Sequence, residues 1–350
     1  MKAVVVKEGG VLEVQDAAEP EPGSDQIKVK IAFAGICGSD PKIVAGHYMP
    51  IPTVGAIGWP EPPPPLAAKE GVRFLGHEAS GTIVKIGKDV KGNFKVGQHV
   101  AMNFRSVCGG CYYCQNKMEH FCERAMIFMG LMAEYAVFKE SLVYPLPEDL
   151  PLDVGAFLEP VSVAVHTLDI AHIKIGDTVI ITGGGAIGLL ALQLAIKSGA
   201  SKVLVSEPIA EKRKLAKQLG ADVVVDPLKE DLLAIANTVT DGRGFNVCIE
   251  ESGIPAIAKQ LILLAERCGT IVLAATYPQG VEVGVPLEYM YGRELSIRSV
   301  LISPYSFPRA VQMLPKLNLK PLITVYPMKE VVKAFEAHKA GKGIKIMLQP

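Results

Sequence analysis

Two kinds of hydrophobic spacing divide the chain. Up to about residue 150 the apolar positions come in short runs, many alternating with polar residues and separated by turn residues. VVVKEGGVLEVQDA reads as a hairpin, IKVKIAFAG as an alternating strand, and SGTIVKIGKDV and VGQHVAMN as further short strands. No long amphipathic period interrupts them, which predicts a small β-barrel. From Pro151 onward the pattern changes. It predicts strand Val179–Ile181, helix Leu189–Ser198, strand Val203–Val205, helix Ala210–Leu219, strand Val223–Val225 and a helix near Asp231–Val239. Strand Phe245–Glu250, helix Pro255–Arg267 and strand Thr270–Ala275 follow. Such alternation implies a parallel sheet covered on both faces. The tail holds a helix near Pro308–Leu314, another at Lys329–His338 and the strand IKIMLQ, and is expected to return to the N-terminal domain.

Composition narrows the picture. A chain of 350 residues, 49% of them hydrophobic, suggests two domains with a large core. The 36 basic and 36 acidic residues cancel, so there is no electrostatic case for nucleic acid or an acidic membrane surface. The stretch Thr178–Ile196 carries no charge and is nearly long enough to span a bilayer, but three successive glycines inside it argue against a span. MKAVVVKEGG lacks a signal-peptide apolar core and cleavage site, so a cytoplasmic protein is expected. Pro50–Pro65 holds seven prolines and Trp59, and reads as a stiff loop, either a surface insertion or a lid over a cleft.

The strand predicted at Val179–Ile181 breaks on Gly183-Gly184-Gly185-Ala186-Ile187-Gly188, which fits G-x-G-x-x-G. In that reading Gly183 makes the tight turn, Gly185 lets backbone approach a pyrophosphate, and Gly188 allows close helix–strand packing. The pyrophosphate would sit on the helix N-terminus, where unpaired N–H groups and the dipole favour an anion. Glu207 closes the second strand, where an acid accepts hydrogen bonds from an adenosine ribose diol and repels a 2′-phosphate. NAD is therefore expected over NADP.

Seven cysteines is an odd number, and Cys108, Cys111, Cys114 and Cys122 fall in C-x2-C-x2-C-x7-C. That spacing suits a closed, tetrahedral, structural zinc site better than disulfides. A second set is dispersed. Cys37 ends an apolar strand beside Ser39 and Asp40, His77 is next to Glu78, and Glu159 stands in an apolar setting at a helix start. Each has an ordinary explanation by itself, as a small core residue, a surface histidine or a helix-start acid. Spacing alone leaves a shared site open.

These segments (GICGSD, GHE, the four-cysteine lobe, LEP, the glycine loop, Glu207 and the C-terminal GKGIKIML) resemble the zinc-dependent medium-chain alcohol dehydrogenases over nearly the whole chain. The branch most resembled is that of sorbitol, 2,3-butanediol and threonine dehydrogenases. The resemblance implies an α/β fold in which 1–159 and 297–350 form a GroES-like β-barrel catalytic domain and 160–296 a Rossmann, doubly wound parallel-sheet domain. It implies two zincs per chain. Cys37, His77 and Glu159 would surround the catalytic one, and Glu78 would either ligate it or exchange with water. Ser39 would take the alcohol proton, after which hydride passes to NAD. Cofactor contacts would come from Gly183, Gly185, Ala186, Ile187, Gly188, Glu207, Lys212, Ala274, Ala275, Thr276, Val300, Leu301 and Ile302. His47 and Lys42 are candidate proton relays. A homodimer or homotetramer acting on a small alcohol or ketone is expected, with no membrane or nucleic-acid partner. The alternatives are a threonine-type 3-hydroxy amino-acid dehydrogenase, a zinc-free quinone reductase and a non-catalytic NAD-binding relative. Two departures matter: the stretch from Cys37 to His77 is longer than in compact members by the proline-rich loop, and sorbitol dehydrogenases carry an Arg-Tyr pair where this chain has Ile302-Ser303, which favours a less polar secondary alcohol or small diol.

Overall fold

The computed structural model describes residues 1–46, 73–277 and 280–350. The Pro50–Pro65 loop with Trp59, and His47, lie outside the described residues. Contacts divide the chain into one unit of Met1–Pro160 with Phe307–Pro350 and a second of Val161–Ser306.

The first unit is built on strands. Lys2–Val6 pairs antiparallel with Leu12–Asp16, the hairpin expected from the sequence, and with the short Arg73–Phe74. A seven-stranded sheet runs Val143–Pro145, His99–Met102, Glu78–Ile86, Gln26–Gly35, Lys345–Gln349, Ile323–Pro327, with Tyr135–Lys139 also paired to Gln26–Gly35. Alternation sends Val4, Val6, Ile27, Val29, Ile83 and Val100 into one shared core. The tail returns as expected, with Leu348 opposite Ala34 and Met347 opposite Gly35. Gly35 also lies opposite Glu78, and a Cβ there would collide with the Glu78 carboxylate. Glycine is thus required where the strand delivers that acid.

The second unit is a six-stranded parallel sheet in the order Val223–Val225, Lys202–Ser206, Thr178–Thr182, Phe245–Glu250, Ala265–Leu273, Ser296–Ser299. The first three strands step outward from Thr178–Thr182 one way and the rest step the other way, so the order reverses between Thr178–Thr182 and Phe245–Glu250. That reversal is the topological switch point, where open α/β sheets bind ligands. Two boundaries differ from the expectation. The helix after Ile254 ends at Leu264, and the next strand already begins at Ala265, because Ala265 pairs with Phe245 before a register shift. The sixth strand, SIRS, offers no apolar run and is exposed at every position, so periodicity did not reveal it. Its pairing to Ala265–Leu273 keeps residues 297–306 with this unit, beyond the expected limit at 296. Among the described residues no helix is long and apolar enough to cross a membrane.

Candidate metal centres and dinucleotide site

The cysteine lobe is framed by the two-stranded pair Arg105–Ser106 and Met126–Ile127. Cys111 precedes the short helix Tyr112–Gln115, which carries Cys114, and Cys122 follows the turn Glu119–Phe121. The Arg105 guanidinium donates to the carbonyls of Glu119 at 2.7 Å and His120 at 2.8 Å, which fixes that turn. The sulfurs converge, with Cys111 and Cys114 3.5 Å apart and Cys108 and Cys114 3.9 Å apart. Four thiolates on a tetrahedral zinc, with bonds of about 2.3 Å, stand about 3.8 Å from one another. Backbone N–H groups of Gly110 and Cys111 lower the Cys108 thiol to about 6, whereas burial and the neighbouring thiols push Cys114 up to about 12. Four thiolates cannot share this space without a cation. The donor set fits zinc.

The dispersed set also comes together. Ligand atoms of Cys37, His77 and Glu78 all lie within 4.8 Å of one another. Gln26–Gly35 delivers Cys37 just past its end, and Glu78 opens its partner strand with His77 immediately before it. Asp40, fully buried, accepts from the Cys37 N–H at 2.8 Å, and its other oxygen stands 3.8 Å from His77 Nδ1. Glu78 is buried and paired at 2.5 Å with the buried Lys345, which also donates to the Ile36 carbonyl at 3.3 Å. Burial alone would lower the His77 imidazole, but Cys37, Asp40 and Glu159 outweigh it and raise it well above the ordinary value. Burial pushes the Glu159 carboxyl up to about 7, against the pull of His77. Glu159 feels the charges of His77, Glu78 and Lys345, but does not join the three convergent ligand atoms. One lysine thus faces four groups able to carry negative charge in a buried place. A divalent cation supplies the charge that such a cluster lacks. The Ser39 hydroxyl is buried with no partner among the described residues.

In the second unit the expected cofactor residues fall at the carboxyl ends of the strands. Gly183 follows Thr182 with φ +101, and its N–H donates to the Ser206 carbonyl at 2.9 Å. A Cβ at Gly188 would strike the Gly183 carbonyl, whereas one at Gly185 would meet nothing within 4 Å. The turn is therefore tight where the helix packs and open where a pyrophosphate would approach, which fits a dinucleotide. The helix begins at Ala186, three residues before the position that periodicity indicated. Glu207 is buried, accepting from Gly184 N–H at 2.7 Å and Ile209 N–H at 2.9 Å. Lys212 lies on the helix Ala210–Gln218. Ala274 and Ala275 both donate to the Glu250 carbonyl, and Thr276 comes next. Val300 donates to the Leu273 carbonyl at 3.0 Å, and beyond Leu301 the β-branched Ile302 holds φ +51, a strained backbone.

Sequence reasoning did not single out Lys345 or, beyond its place beside Ser39, Asp40. A lysine between isoleucines in the apolar IKIML run was the available signal for the first. Arg213, Asp226, Glu250 and Glu251 were also missed. Arg213 donates to the Glu207 carbonyl and pairs with Asp226, while Glu250 is fully buried and accepts from Ser252 N–H at 2.7 Å and from the Tyr277 hydroxyl.

Residues 23–148 match the alcohol dehydrogenase GroES-like domain, and residues 186–316 match the zinc-binding dehydrogenase family. The chain is 34% identical to D-arabitol-phosphate dehydrogenase of Enterococcus avium, covering 95% of this chain and 92% of that one. It is 32% identical to L-threonine 3-dehydrogenase of Pyrococcus horikoshii, over 97% and 96% of the two chains. A solved structure from Sinorhizobium meliloti, described as a zinc-binding dehydrogenase bound to NADP, superposes with a TM-score of 0.88 at 31% identity, over 100% and 99%. These likenesses, over a GroES-like unit, a Rossmann unit and two convergent donor sets, give one conclusion. The chain belongs to the zinc-dependent medium-chain alcohol dehydrogenase family and is an oxidoreductase of alcohols that uses zinc and NAD.

Proposed function

We propose that this protein transfers hydride between NAD and a secondary alcohol, vicinal diol or polyol. The observation that carries the reading is the convergence of Cys37, His77 and Glu78 within 4.8 Å, with the buried Ser39 hydroxyl, two residues past Cys37, lacking a partner among the described residues. In this reading Met1–Pro160 with Phe307–Pro350 forms the catalytic domain, and Val161–Ser306 the cofactor domain. Cys37 and His77 would hold the catalytic zinc, with Glu159, outside the convergent trio, as the proposed third ligand. Glu78 is its exchangeable ligand, since Lys345 already holds one carboxylate oxygen. Cys108, Cys111, Cys114 and Cys122 hold the structural zinc. When bound at the catalytic site, zinc supplies Lewis acidity that lowers the pKa of an alcohol.

The chain's own groups do the rest. Asp40 pins the Cys37 backbone and faces the imidazole of His77, so two donors are held in place before any metal arrives. Ser39 Oγ acts as a relay, accepting the alcohol proton as it passes on its own, being a buried hydroxyl with no hydrogen-bond partner among the described residues. His47 and Lys42 are the candidates to pass that proton outward. Gly183, Gly185 and the helix start at Ala186, Ile187 and Gly188 hold the pyrophosphate, and Glu207 takes the adenosine ribose. Lys212, Ala274, Ala275, Thr276, Val300, Leu301 and Ile302 complete the cofactor contacts. Likeness to a D-arabitol-phosphate dehydrogenase and an L-threonine 3-dehydrogenase supports polyol phosphates and 3-hydroxy amino acids as further substrate classes. Ile302-Ser303 in place of an Arg-Tyr pair favours the less polar end of the range.

Association into a homodimer or homotetramer is supported by the exposed edge strand Ser296–Ser299, with Tyr291 and Leu287 exposed nearby in sequence. Cytoplasmic residence is supported by seven cysteines kept as thiols, four of them clustered as metal donors. The test combines metal analysis with NAD reduction over secondary alcohols, diols, polyols, polyol phosphates and hydroxy amino acids. Two zincs per chain and turnover of an alcohol are expected. Less than one zinc per chain, or binding of NAD without turnover of any of these classes, would defeat the reading.

A further inference from the structure

The cofactor site holds a cation that the glycine loop and Glu207 do not account for. Arg213 lies on the helix Ala210–Gln218, and its Nη1 donates to the Glu207 carbonyl at 2.7 Å. The guanidinium therefore touches the very residue that is read as the ribose acceptor. An arginine in this place is the usual means of receiving a 2′-phosphate. Here its other arm is occupied, because Nη2 stands 3.1 Å from Oδ2 of the buried Asp226. Asp226 follows Val223–Val225, the strand paired beside Lys202–Ser206, so both carboxyl ends meet at the adenosine side of the sheet. The Glu207 N–H, donating to the Val225 carbonyl at 3.0 Å, ties the two strand ends together.

We infer that Asp226 is a cofactor-specificity residue that acts through Arg213, holding its guanidinium neutralised and turned away from the ribose so that NADP is refused. The inference rests on the assignment of Glu207 to the ribose. Two effects reinforce each other. Glu207 supplies repulsion, and Asp226 removes the compensating attraction that a nearby arginine would give. Phosphate recognition by arginine needs its planar fork free, and a guanidinium already bonded on both arms offers little of it. Lys229, 3.8 Å from Asp226, is largely exposed and adds only a screened charge. Asp226 has a second task, since its Oδ1 accepts from the Leu228 N–H at 3.1 Å and holds the following turn. Asparagine keeps that oxygen and removes the charge, which makes it the informative replacement.

The experiment measures NAD and NADP binding to the zinc-loaded protein by titration calorimetry, with thermal melting as a check on folding. Asp226→Asn is expected to tighten NADP by about tenfold and to leave NAD within about twofold. Arg213→Met alone is expected to leave NADP binding within about twofold, and added to Asp226→Asn it should erase the gain. Equal shifts in NAD and NADP in Asp226→Asn would make Asp226 a merely structural residue and overturn the inference. A gain that survives Arg213→Met would also overturn it, as would weaker NADP binding in Arg213→Met alone, since the arginine would then already hold the phosphate. Glu207→Ser is the separate arm. If it leaves the NAD-to-NADP ratio unchanged, the ribose assignment itself fails. If it relaxes the ratio while Asp226→Asn does not, only the present inference fails.

Discussion

The two metal regions of the first unit make an instructive contrast. The four-cysteine lobe is short in sequence, running from Cys108 to Cys122, and its ligands are all of one kind. The other set draws on Cys37, His77, Glu78 and Glu159, with Lys345 and Asp40 around it, and so spans nearly the whole chain. In the first, the candidate donors Cys111, Cys114 and Cys122 are themselves the buried cluster, so the segment has little other core. In the second, strand pairing already holds the donors, with Gly35 opposite Glu78 and Met347 opposite Gly35. The lobe should depend on zinc for its shape, and the dispersed set for its chemistry.

The largest expected effect would break that contrast if it failed. His77→Ala should reduce turnover by at least about a thousandfold while melting temperature and the second zinc are retained. Cys111→Ser should instead release the structural zinc, for which binding supplies on the order of 10 kcal/mol of folding free energy, and lower the melting temperature. Loss of folding in both variants, measured by circular dichroism and metal content, would erase the division.

Next in size is the buried ion pair. Lys345→Met leaves the Glu78 carboxylate buried without its partner at 2.5 Å, and breaking such a pair costs roughly 3–5 kcal/mol. Denaturant unfolding should show it, and the double variant with Glu78→Gln should recover much of the loss. No loss in Lys345→Met would mean that strand pairing does not depend on the charge balance around the catalytic donors.

A smaller effect is expected in the second unit. Glu207→Ser should relax the preference for NAD over NADP by about tenfold, because a carboxylate no longer faces the 2′ position. Steady-state ratios of kcat/KM for the two cofactors check this, and an unchanged ratio would count against it.

The smallest concerns Glu251 and serves as a control outside both metal sets. Its carboxyl is pushed up to about 8 by burial and by the charge of Glu250, from an ordinary 4.5. The folded chain therefore keeps a proton that the unfolded chain has released. The stabilisation is full below about pH 4.5 and is lost as pH rises through about 8. Glu251→Gln should flatten the decline of melting temperature over that window. An identical pH profile in the variant would show that another group sets the slope.

How much of this was legible depended on distance along the chain. The cysteine lobe was readable because three intervals of a few residues confine four sulfurs to one small volume in any compact arrangement. The glycine loop was readable for a similar reason, since Gly183 must turn and Gly188 must clear the Gly183 carbonyl wherever such a strand meets such a helix. The sixth strand, SIRS, was not readable, because an exposed edge strand needs no apolar pattern and takes its shape from its neighbour.

The sequence by itself therefore determined the alternation of strands and helices, the metal lobe and the dinucleotide turn, all of which are short-range consequences of residue type. Tertiary structure decided what faces what. Lys345 reaches Glu78 across 267 positions because two registers set Met347 and Glu78 on either side of Gly35, with Lys345 two residues before Met347 on the same strand. Arg213 meets Asp226 because the helix Ala210–Gln218 begins, and the strand Val223–Val225 ends, at the same edge of the sheet. Nothing in local spacing specifies a partner that far away. A buried charge finds its counter-charge only when the backbone registers are fixed, since only then does an unpaired charge become too costly to leave in place.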